Sequence, residues 1–341
     1  MTSIIAGCAV RLRAGKRLDR ADIRMCVHAI ARGNVSDDEI VNFLRAFNGA
    51  GFGANELAGF VMATMPSSQK IMLGSPILDL AGTGGSGLER FNTSTSAAFV
   101  VAACGVPVAK HCGSGTRGLA GSIEFLAALD CPAVAPEHAQ DFLNECGLVF
   151  ICAHRNPVFS NATRARRMLD ERTIYNFVGP LSNPVHISHQ MIGIPDAAYS
   201  EMIARTALEL GSTRVLVVTG ETGIDEVSVS GQTKFLLGVS KSLGFKRFMF
   251  KPADFGIKAV PYESMPKGNA AENADLFREV LVRKRQTPLQ NLIAVNAGAA
   301  LFAAGVVPTI PDGFRRAREA LISGAVEKKF REYKQHVQSA G

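Results

Sequence analysis

The sequence lacks several features that mark particular classes of protein. It contains no Trp and four Tyr in 341 residues, and no run of basic residues is interleaved with aromatic ones. A platform that stacks nucleic-acid bases is therefore the weaker hypothesis. The apolar stretches are short and interrupted by glycine and proline, so none of them predicts a membrane-spanning helix. The first ten residues lack the basic start and the cleavage site of a signal peptide, which favours a cytoplasmic protein.

The cysteines show no pattern typical of disulfide or zinc chemistry. Their number, seven, is odd and no C-x-x-C pair occurs, so we expect reduced thiols and no zinc site. The formal net charge is +7, but Lys and Arg are scattered along the chain apart from a cluster at Arg164, Arg166 and Arg167. Charge alone therefore does not choose between a phosphorylated substrate and nucleic acid.

The first part of the chain has the apolar spacing of short helices. Ser36 and Glu39 fit a capping box at the start of one of them. With 47% hydrophobic residues, the chain can bury a full core. We predict a small helical domain from residues 1–70, joined by a segment at about 160–185. The apolar positions that recur at helical spacing are Ile23, Cys26, Val27, Ile30, Ile40, Phe43, Leu44 and Phe47.

From Pro76 onward, short apolar runs alternate with helical stretches. Three runs, at residues 77–81, 106–110 and 215–219, each lead into a loop that contains glycine. Strands separated by helices predict an α/β domain over residues 75–341 with a mostly parallel central sheet. Because each loop follows the carboxyl end of a strand, we expect the three loops to meet at one edge of the sheet.

The first of these loops, residues 82–87, fits the pattern G-x-G-x-x-G of dinucleotide-binding proteins. That pattern should open directly into a helix and be followed about 20 residues later by an acid, yet no acid lies near Ala102. The helix is instead predicted to begin at residues 92–95, Asn-Thr-Ser-Thr. Small polar side chains and free amides at a helix start favour a phosphate or diphosphate. The alternative is that Ser94 or Thr95 merely caps the helix.

Two further loops add charge to the same edge. Lys110 and His111 end the second predicted strand and lead into another glycine-rich loop. After the third strand, Asp225 and Glu226 could hold Mg²⁺ through one or two direct bonds and water, although a solvated turn with two charges is the alternative. Together, phosphate-binding loops and a carboxylate pair are typical of a metal–diphosphate site.

In this order, the motifs resemble those of the anthranilate phosphoribosyltransferase family, within glycosyltransferase family 3 and its nucleoside phosphorylase-like fold. The family pattern contains G-T-G-G-D-G, N-x-S-T, K-H-G-N-R-S, R-x-x-L-G-x-R-T-x-x-N-x-x-G-P-L-x-N-P and G-x-D-E. The resemblance implies transfer of phosphoribose from 5-phosphoribosyl-1-diphosphate (PRPP) to an aromatic amine such as anthranilate, with Mg²⁺ and in a homodimer. The matching segments are residues 82–87, 92–95, 110–111, 166–184 and 223–226, and residues 296–301 also look similar to the family.

The same resemblance implies roles for individual residues. Ser94, Asp225 and Glu226 would surround Mg²⁺, and Arg166 falls where the family contacts anthranilate. The amine would displace diphosphate from C1 of the ribose through an oxocarbenium-like state, and no covalent nucleophile would be required. The other substrate-binding residues implied are Gly82, Gly85, Ser86, Asn92, Thr93, Ser94, Thr95, Lys110, His111 and Ser122.

The sequence departs from the family pattern mainly where the acceptor should bind. Ser86 replaces an aspartate, Gly113 and Ser114 replace the asparagine and arginine of K-H-G-N-R-S, and Asn156 replaces a histidine. A paralogue with a different aromatic or heterocyclic acceptor is therefore an alternative. A nucleoside phosphorylase, suggested by the glycine-rich residues 113–124, and a non-catalytic relative that binds nucleic acid are the other two.

Overall fold

The computed structural model describes residues 3–65, 71–72, 74, 76–84, 89–115, 120–169, 171–242, 244–283 and 286–340. Its first part consists of short helices that pack side by side. The capping box predicted at Ser36 and Glu39 is present, because each side chain bonds the backbone amide of the other residue. These helices are α1 (Ile4–Arg13), α2 (Arg20–Ala31), α3 (Asp37–Ala50) and α4 (Ala54–Thr64).

The apolar residues predicted to line the helices form one buried core. Ile23, Val27 and Ile30 of α2 are fully buried, as is Phe43 of α3. The same core includes Val158 and Phe159 of α8 (Pro157–Arg167) and Tyr175 of α9 (Ile174–Leu181). Helices α8 and α9 therefore pack on the N-terminal helices. The assignment of residues 160–185 to one domain with residues 1–70 stays a prediction.

A central sheet follows, with strand order β3-β2-β1-β4-β5-β6-β7 in the described residues. The first five strands in this order are parallel to their neighbours, and the last two pair antiparallel. This confirms the predicted α/β class with a mostly parallel sheet. The strands are β1 (Leu78–Gly82), β2 (Val108–Cys112), β3 (Leu148–Cys152), β4 (His189–Gly193), β5 (Arg214–Gly220), β6 (Thr233–Val239) and β7 (Phe245–Phe250).

Helices cover both faces of the sheet. On β5, Val215 and Val217 belong to the core of the helical bundle, whereas Leu216 and Val218 belong to a second core on the opposite face. This alternation follows from the two-residue period of a strand. The remaining helices are α5 (Thr93–Ala103), α6 (Ser122–Ala128), α7 (Ala139–Cys146), α10 (Ser200–Glu209), α11 (Ala270–Val282), α12 (Pro288–Ala303), α13 (Ile310–Ser323) and α14 (Ala325–Ala340).

Aromatic packing and a glycine contact consolidate the second core. The ring of Phe99 on α5 lies 5.0 Å from that of Phe150 and 5.8 Å from that of Tyr333, measured between centroids. Helices α12 and α13 approach so closely that a Cβ at Gly298 would lie 2.4 Å from the backbone nitrogen of Phe314. All seven cysteines are free, as predicted. None of the helices that the structure describes is long and apolar enough to cross a membrane.

Candidate active site

The loop after β5 lies against the end of β1. Oδ2 of Asp225 accepts a hydrogen bond from the backbone amide of Gly84 at 2.8 Å, and Oδ1 forms an ion pair with Arg90. A Cβ at Gly82 would lie 2.2 Å from Oδ2 of Asp225, so only glycine at this position lets the carboxylate reach the loop after β1. The structure therefore brings the acidic pair and the first glycine-rich loop together.

Two other elements fix the position of the acidic pair. A Cβ at Gly193, the last residue of β4, would lie 1.8 Å from the carbonyl oxygen of Asp225. Asn296 of α12 accepts a hydrogen bond from the amide of Val227 at 2.8 Å and donates one to its carbonyl at 3.0 Å. Because both backbone groups of Val227 are held by one buried side chain, the loop has little freedom.

Glu226 links the acidic loop to the start of α5. Its carboxyl group is buried, and burial raises its pKa, an effect that the charge of Arg90 and a hydrogen bond with the side chain of Thr93 oppose. No group of three or more His, Cys, Asp or Glu able to hold a metal occurs in the described residues. Two carboxylates with hydroxyl and phosphate oxygens suit Mg²⁺, which keeps several waters and is commonly completed by substrate.

The first turn of α5 has no side-chain cap, although the amide of Thr93 donates to the carbonyl of Phe91 at 2.9 Å. Asn92 is the N-cap residue, but no side chain caps the helix. Instead, Oδ1 of Asn92 accepts a hydrogen bond from Asn273 at 2.9 Å, and the hydroxyl of Thr95 donates to Oγ of Ser122 at 2.9 Å. The alternative in which Ser94 or Thr95 caps the helix is therefore wrong. No side chain therefore competes with an anion for the start of α5.

The second glycine-rich loop is closed by Glu124. Its Oε2 accepts hydrogen bonds from the amides of Gly115 at 3.1 Å and Gly121 at 3.0 Å. A Cβ at Gly121 would lie 2.1 Å from the nitrogen of Gly115, so Gly115 lies tightly against the residue that precedes α6. Of the residues predicted to bind substrate, Gly85 and Ser86 lie outside the described residues.

Lys110 lies inside the sheet. The prediction that its strand ends at residue 110 is wrong, because β2 continues to Cys112. The ammonium group of Lys110 donates to the carbonyl of Leu80 at 2.6 Å and lies near the buried carboxyl group of Asp79. Burial raises the pKa of Asp79 to about 6, although Lys110 opposes this effect. No hydrogen bond or ion pair joins Lys110 to Asp225 or Ser94 within the described residues.

His111 faces the first residue of the G-P-L motif, Gly179. Its Nδ1 lies 3.1 Å from the carbonyl oxygen of Gly179, and its ring contacts the edge of Phe159 with 6.2 Å between centroids. Burial lowers the pKa of His111 to about 4, so the imidazole is neutral at pH 7. A neutral ring that donates from Nδ1 to a carbonyl leaves Nε2 unprotonated.

Arg166 is a largely buried cation with an aromatic neighbour. Its guanidinium carbon lies 5.1 Å from the centroid of the Tyr175 ring, and burial lowers its pKa. Within the part of the chain that the structure describes, no carboxylate pairs with it, whereas the neighbouring Arg164 pairs with Asp37 at 3.2 Å. A buried guanidinium without a carboxylate partner is suited to an acidic ligand.

The side chain of Asn156 bonds two backbone groups of the helical part of the chain. Its Oδ1 caps α8 by accepting from the amide of Val158 at 3.0 Å, and its Nδ2 donates to the carbonyl of Thr64 at 3.1 Å. Arg172 reaches the first loop instead, because its Nη2 donates to the carbonyl of Gly84 at 3.1 Å. The segment that corresponds to R-x-x-L-G-x-R-T, to which Arg172 belongs, thus contacts the first glycine-rich loop directly.

Several residues of the site were not predicted from the sequence. Arg90 and Asn273 were not identified, and Asn296 was noticed only as part of a family-like stretch. Arg90 lies two residues before the Asn-Thr-Ser-Thr run, and this position could have identified it as a candidate site residue. Nothing in the sequence pointed to Asn273, because a buried asparagine on an amphipathic helix has no distinctive spacing.

Comparison with known proteins agrees with this arrangement. Residues 9–68 match the helical bundle domain of the glycosyl transferase family, and residues 74–327 match its a/b domain. Anthranilate phosphoribosyltransferase from Exiguobacterium sibiricum is 36% identical over 322 residues, 93% of this chain and 94% of that protein. The enzyme of the same name from Methylobacterium radiotolerans is 35% identical over 92% of this chain and 91% of its own.

The chain belongs to the anthranilate phosphoribosyltransferase family. The crystal structure of the Thermus thermophilus member has a TM-score of 0.86 at 30% identity and covers 97% of this chain and 99% of its own. The Saccharomyces cerevisiae member in complex with PRPP and Mg has a TM-score of 0.88, with 98% of both chains covered, and at 22% identity this likeness shows the fold. Family membership gives no support to the nucleoside phosphorylase or the nucleic-acid-binding alternative.

Proposed function

We propose that this protein transfers the 5-phosphoribosyl group of PRPP to the amino group of an aromatic amine, anthranilate, and releases diphosphate. One observation carries the proposal. Asp225 is bonded to the amide of Gly84, and the side chain of Thr93 lies close enough to Glu226 to help lower the pKa of its carboxyl group. The acidic pair therefore lies between the first glycine-rich loop and the uncapped start of α5, where a diphosphate and its metal would meet.

The metal that fits this site is Mg²⁺, held by Asp225, Glu226 and the hydroxyl of Ser94. The carboxylates are both buried, and burial raises the pKa of Glu226, so a cation would relieve the cost of keeping their charges there. Ser94 is half-buried beside Thr93 in the first turn of α5. When bound, Mg²⁺ would offset the negative charge of the diphosphate leaving group.

The diphosphate would bind at the start of α5. Amides of the first turn, with the side chains of Ser94 and Thr93, face this region and carry the positive end of the helix dipole. Asn92 and Thr95 act indirectly, since their side chains bond Asn273 and Ser122 and so fix the turn. Roles for Gly85 and Ser86 stay predictions. Lys110 would contribute a charge from within the sheet.

The acceptor would bind between Arg166 and His111. A carboxylate on the aromatic ring would pair with the guanidinium of Arg166, and the ring would lie near Phe159 and the neutral imidazole. As the C1–N bond forms and the C1–O bond to diphosphate breaks, the amine nitrogen would release one proton to diphosphate or solvent, and the residues would hold the two reactants in line. Positioning and charge stabilisation provide the rate enhancement in this account.

Thermal stabilisation tests the metal–diphosphate part of the proposal. Mg²⁺ with PRPP should raise the melting temperature of the wild-type protein, and Asp225→Asn with Glu226→Gln should abolish that rise. Arg167→Gln, which removes an exposed charge on the last turn of α8, serves as the control and should respond like the wild type. Absence of any Mg²⁺- and PRPP-dependent rise in the wild type would refute the transferase assignment.

A panel of acceptors tests the choice of anthranilate. This chain has Gly113 and Ser114 where the family has asparagine and arginine. Fewer side chains are therefore available to hold the acceptor in place. Diphosphate release should be fastest with anthranilate and absent with aniline, which lacks the carboxylate that Arg166 would pair with. Faster turnover of another aromatic acid would assign a different acceptor to the same site.

We also propose that the protein is a cytoplasmic homodimer that associates through its helical domain. In support, Ile4 and Val10 of α1 and Met62 of α4 are exposed large apolar side chains. Light scattering should give twice the mass of the chain, and Val10→Glu should reduce it to the mass of one chain. An unchanged mass in the variant would show that the dimer interface does not include Val10.

A further inference from the structure

Arg90 occupies one of the carboxylates that the proposed function assigns to Mg²⁺. It pairs with Oδ1 of Asp225, whose side chain is 2% exposed, while its own side chain is 24% exposed. We propose that Arg90 neutralises the acidic pair until substrate arrives and then exchanges Asp225 for the diphosphate. Arg90 would thereby couple the binding of Mg²⁺ to the binding of diphosphate. This inference rests on the proposed function.

Arg90 offsets part of the negative charge of the acidic pair. Asp225 and Glu226 supply two negative charges, and Arg90 is the cation that pairs with either of them in the described residues. A divalent ion bound at the same carboxylate would lie a few ångströms from the guanidinium and would be repelled by it. Mg²⁺ alone therefore binds weakly while Arg90 keeps its partner.

Only the side chain of Arg90 needs to move. Nδ2 of Asn273 donates to the carbonyl of Arg90 at 3.3 Å and to Oδ1 of Asn92 at 2.9 Å. The hydroxyl of Tyr262 donates to the carbonyl of Glu89 at 3.2 Å. These bonds hold the backbone of residues 89–92, whereas the partly exposed arginine side chain has rotatable bonds that can carry its head toward α5.

A bound diphosphate would offer Arg90 an alternative partner to Asp225. The first residue of α5, Thr93, is three residues along the chain from Arg90, and a diphosphate bound there would offer several oxygens in the geometry that a guanidinium bonds in pairs. Arg90 then regains the ionic contact that it loses at Asp225. Each ligand favours the displaced arginine, so each increases the affinity for the other by the same factor.

The test compares Arg90→Gln with the wild type and uses binding rather than turnover. Mn²⁺, which takes the same oxygen ligands as Mg²⁺, is titrated alone and counted by electron paramagnetic resonance. Inorganic diphosphate is titrated separately, in the presence of EDTA. Arg90→Gln should tighten Mn²⁺ binding by about fivefold or more, because the competing charge is gone, and should weaken metal-free diphosphate several-fold. Unchanged or weaker Mn²⁺ binding in Arg90→Gln would overturn the proposal.

Two further variants control this comparison. Arg205→Gln removes an arginine that pairs with Glu201 on the exposed face of α10, and should leave both affinities unchanged. Arg90→Lys keeps the charge but loses the paired bonds, so Mn²⁺ should bind as in the wild type and diphosphate more weakly. If Arg90→Gln does not fold, Arg90→Lys decides, because wild-type affinity for diphosphate in this variant would contradict the exchange.

A separate titration distinguishes this inference from the proposed function. Preformed magnesium diphosphate should bind the wild-type protein. If it does not, the transferase site is refuted, whatever Arg90→Gln does to Mn²⁺. If it binds but Arg90→Gln leaves Mn²⁺ affinity unchanged, the coupling role of Arg90 is refuted and the proposed function stands.

Discussion

The carboxylate of Asp225 lies 2.8 Å from the backbone nitrogen of Gly84, and this contact joins two loops that are 141 residues apart in the chain. It depends on two neighbouring strands that end in glycine, Gly82 on β1 and Gly193 on β4. The acidic pair is thus part of the sheet edge, and the geometry of the site depends on the absence of side chains at these positions.

Substituting Gly82 should damage the site more than the fold. The Cβ of Gly82→Ala would push Oδ2 of Asp225 away from the amide of Gly84. We expect magnesium diphosphate to bind about tenfold more weakly, with a loss of stability on the order of 1 kcal/mol. Isothermal titration and urea unfolding measure the two effects.

Glycine positions elsewhere provide the controls. Gly193→Ala would meet the backbone of Asp225, which cannot rotate away, so it should be the more destabilising variant. Gly49→Ala, in open space on α3, should stabilise the protein by about 0.5–1 kcal/mol. Normal diphosphate binding by Gly82→Ala would show that Asp225 reaches its ligand without this contact.

Asn296 should be required for the stability of the acidic loop. Asn296→Ala leaves the amide and the carbonyl of buried Val227 without their side-chain partner. Each unsatisfied group costs roughly 1–3 kcal/mol, so we expect a loss of about 2–4 kcal/mol in the free energy of unfolding. Urea unfolding measures this, with Asn291→Ala, at a half-exposed position on the same helix, as the control. Equal stability of the two variants would contradict the account.

Substitution of Arg166 should weaken the binding of the acceptor without changing the binding of diphosphate. Arg166→Gln removes the buried cation beside Tyr175, so the KM for anthranilate should rise about tenfold or more while the affinity for magnesium diphosphate stays the same. Steady-state kinetics and calorimetry provide the two readouts. If Arg166→Gln weakened diphosphate binding instead, Arg166 would belong to the other half of the site.

The neutral state of His111 should make stability depend on pH. Its pKa is lowered by burial to about 4, below the ordinary value of 6.5, so the unfolded chain binds a proton that the folded protein does not. This stability is fully present above the ordinary pKa and is lost as the pH falls from about 6.5 to about 4. Between pH 7 and pH 5 the loss is about 2 kcal/mol.

His111→Asn isolates this contribution. The asparagine amide can still donate to the carbonyl of Gly179 but does not titrate. Urea unfolding at pH 7 and pH 5 should therefore show a smaller fall in stability for the variant than for the wild type. Identical falls in the two proteins would mean that His111 is protonated in the folded state or keeps its ordinary pKa.

Much of the fold followed from local sequence patterns. Helical spacing and a capping box located α2 and α3, and short apolar runs located β1, β2 and β5 to within two residues. Because parallel strands end at a common edge, the same patterns predicted that Asp225 and the glycine-rich loop would meet. Family motifs added the expected roles of Arg166 and Lys110.

Other parts of the site could not be predicted because they depend on tertiary contacts. Arg90 and Asp225 are 135 residues apart, and no spacing rule relates them. Asn273 and Asn296 lie on helices whose packing, rather than sequence period, aims their amides at the loops. The orientation of Lys110 depended on where β2 ends, and strand ends are the least certain feature of a sequence pattern.

The most direct test of the central claim is the product itself. Wild-type protein is incubated with PRPP, anthranilate and Mg²⁺, and anthranilate consumption, diphosphate release and the mass of the new compound are followed together. The account predicts one diphosphate released for each anthranilate converted to its N-phosphoribosyl derivative, with the reaction lost in Asp225→Asn. Folded wild-type protein that binds magnesium diphosphate but leaves anthranilate unchanged would contradict it.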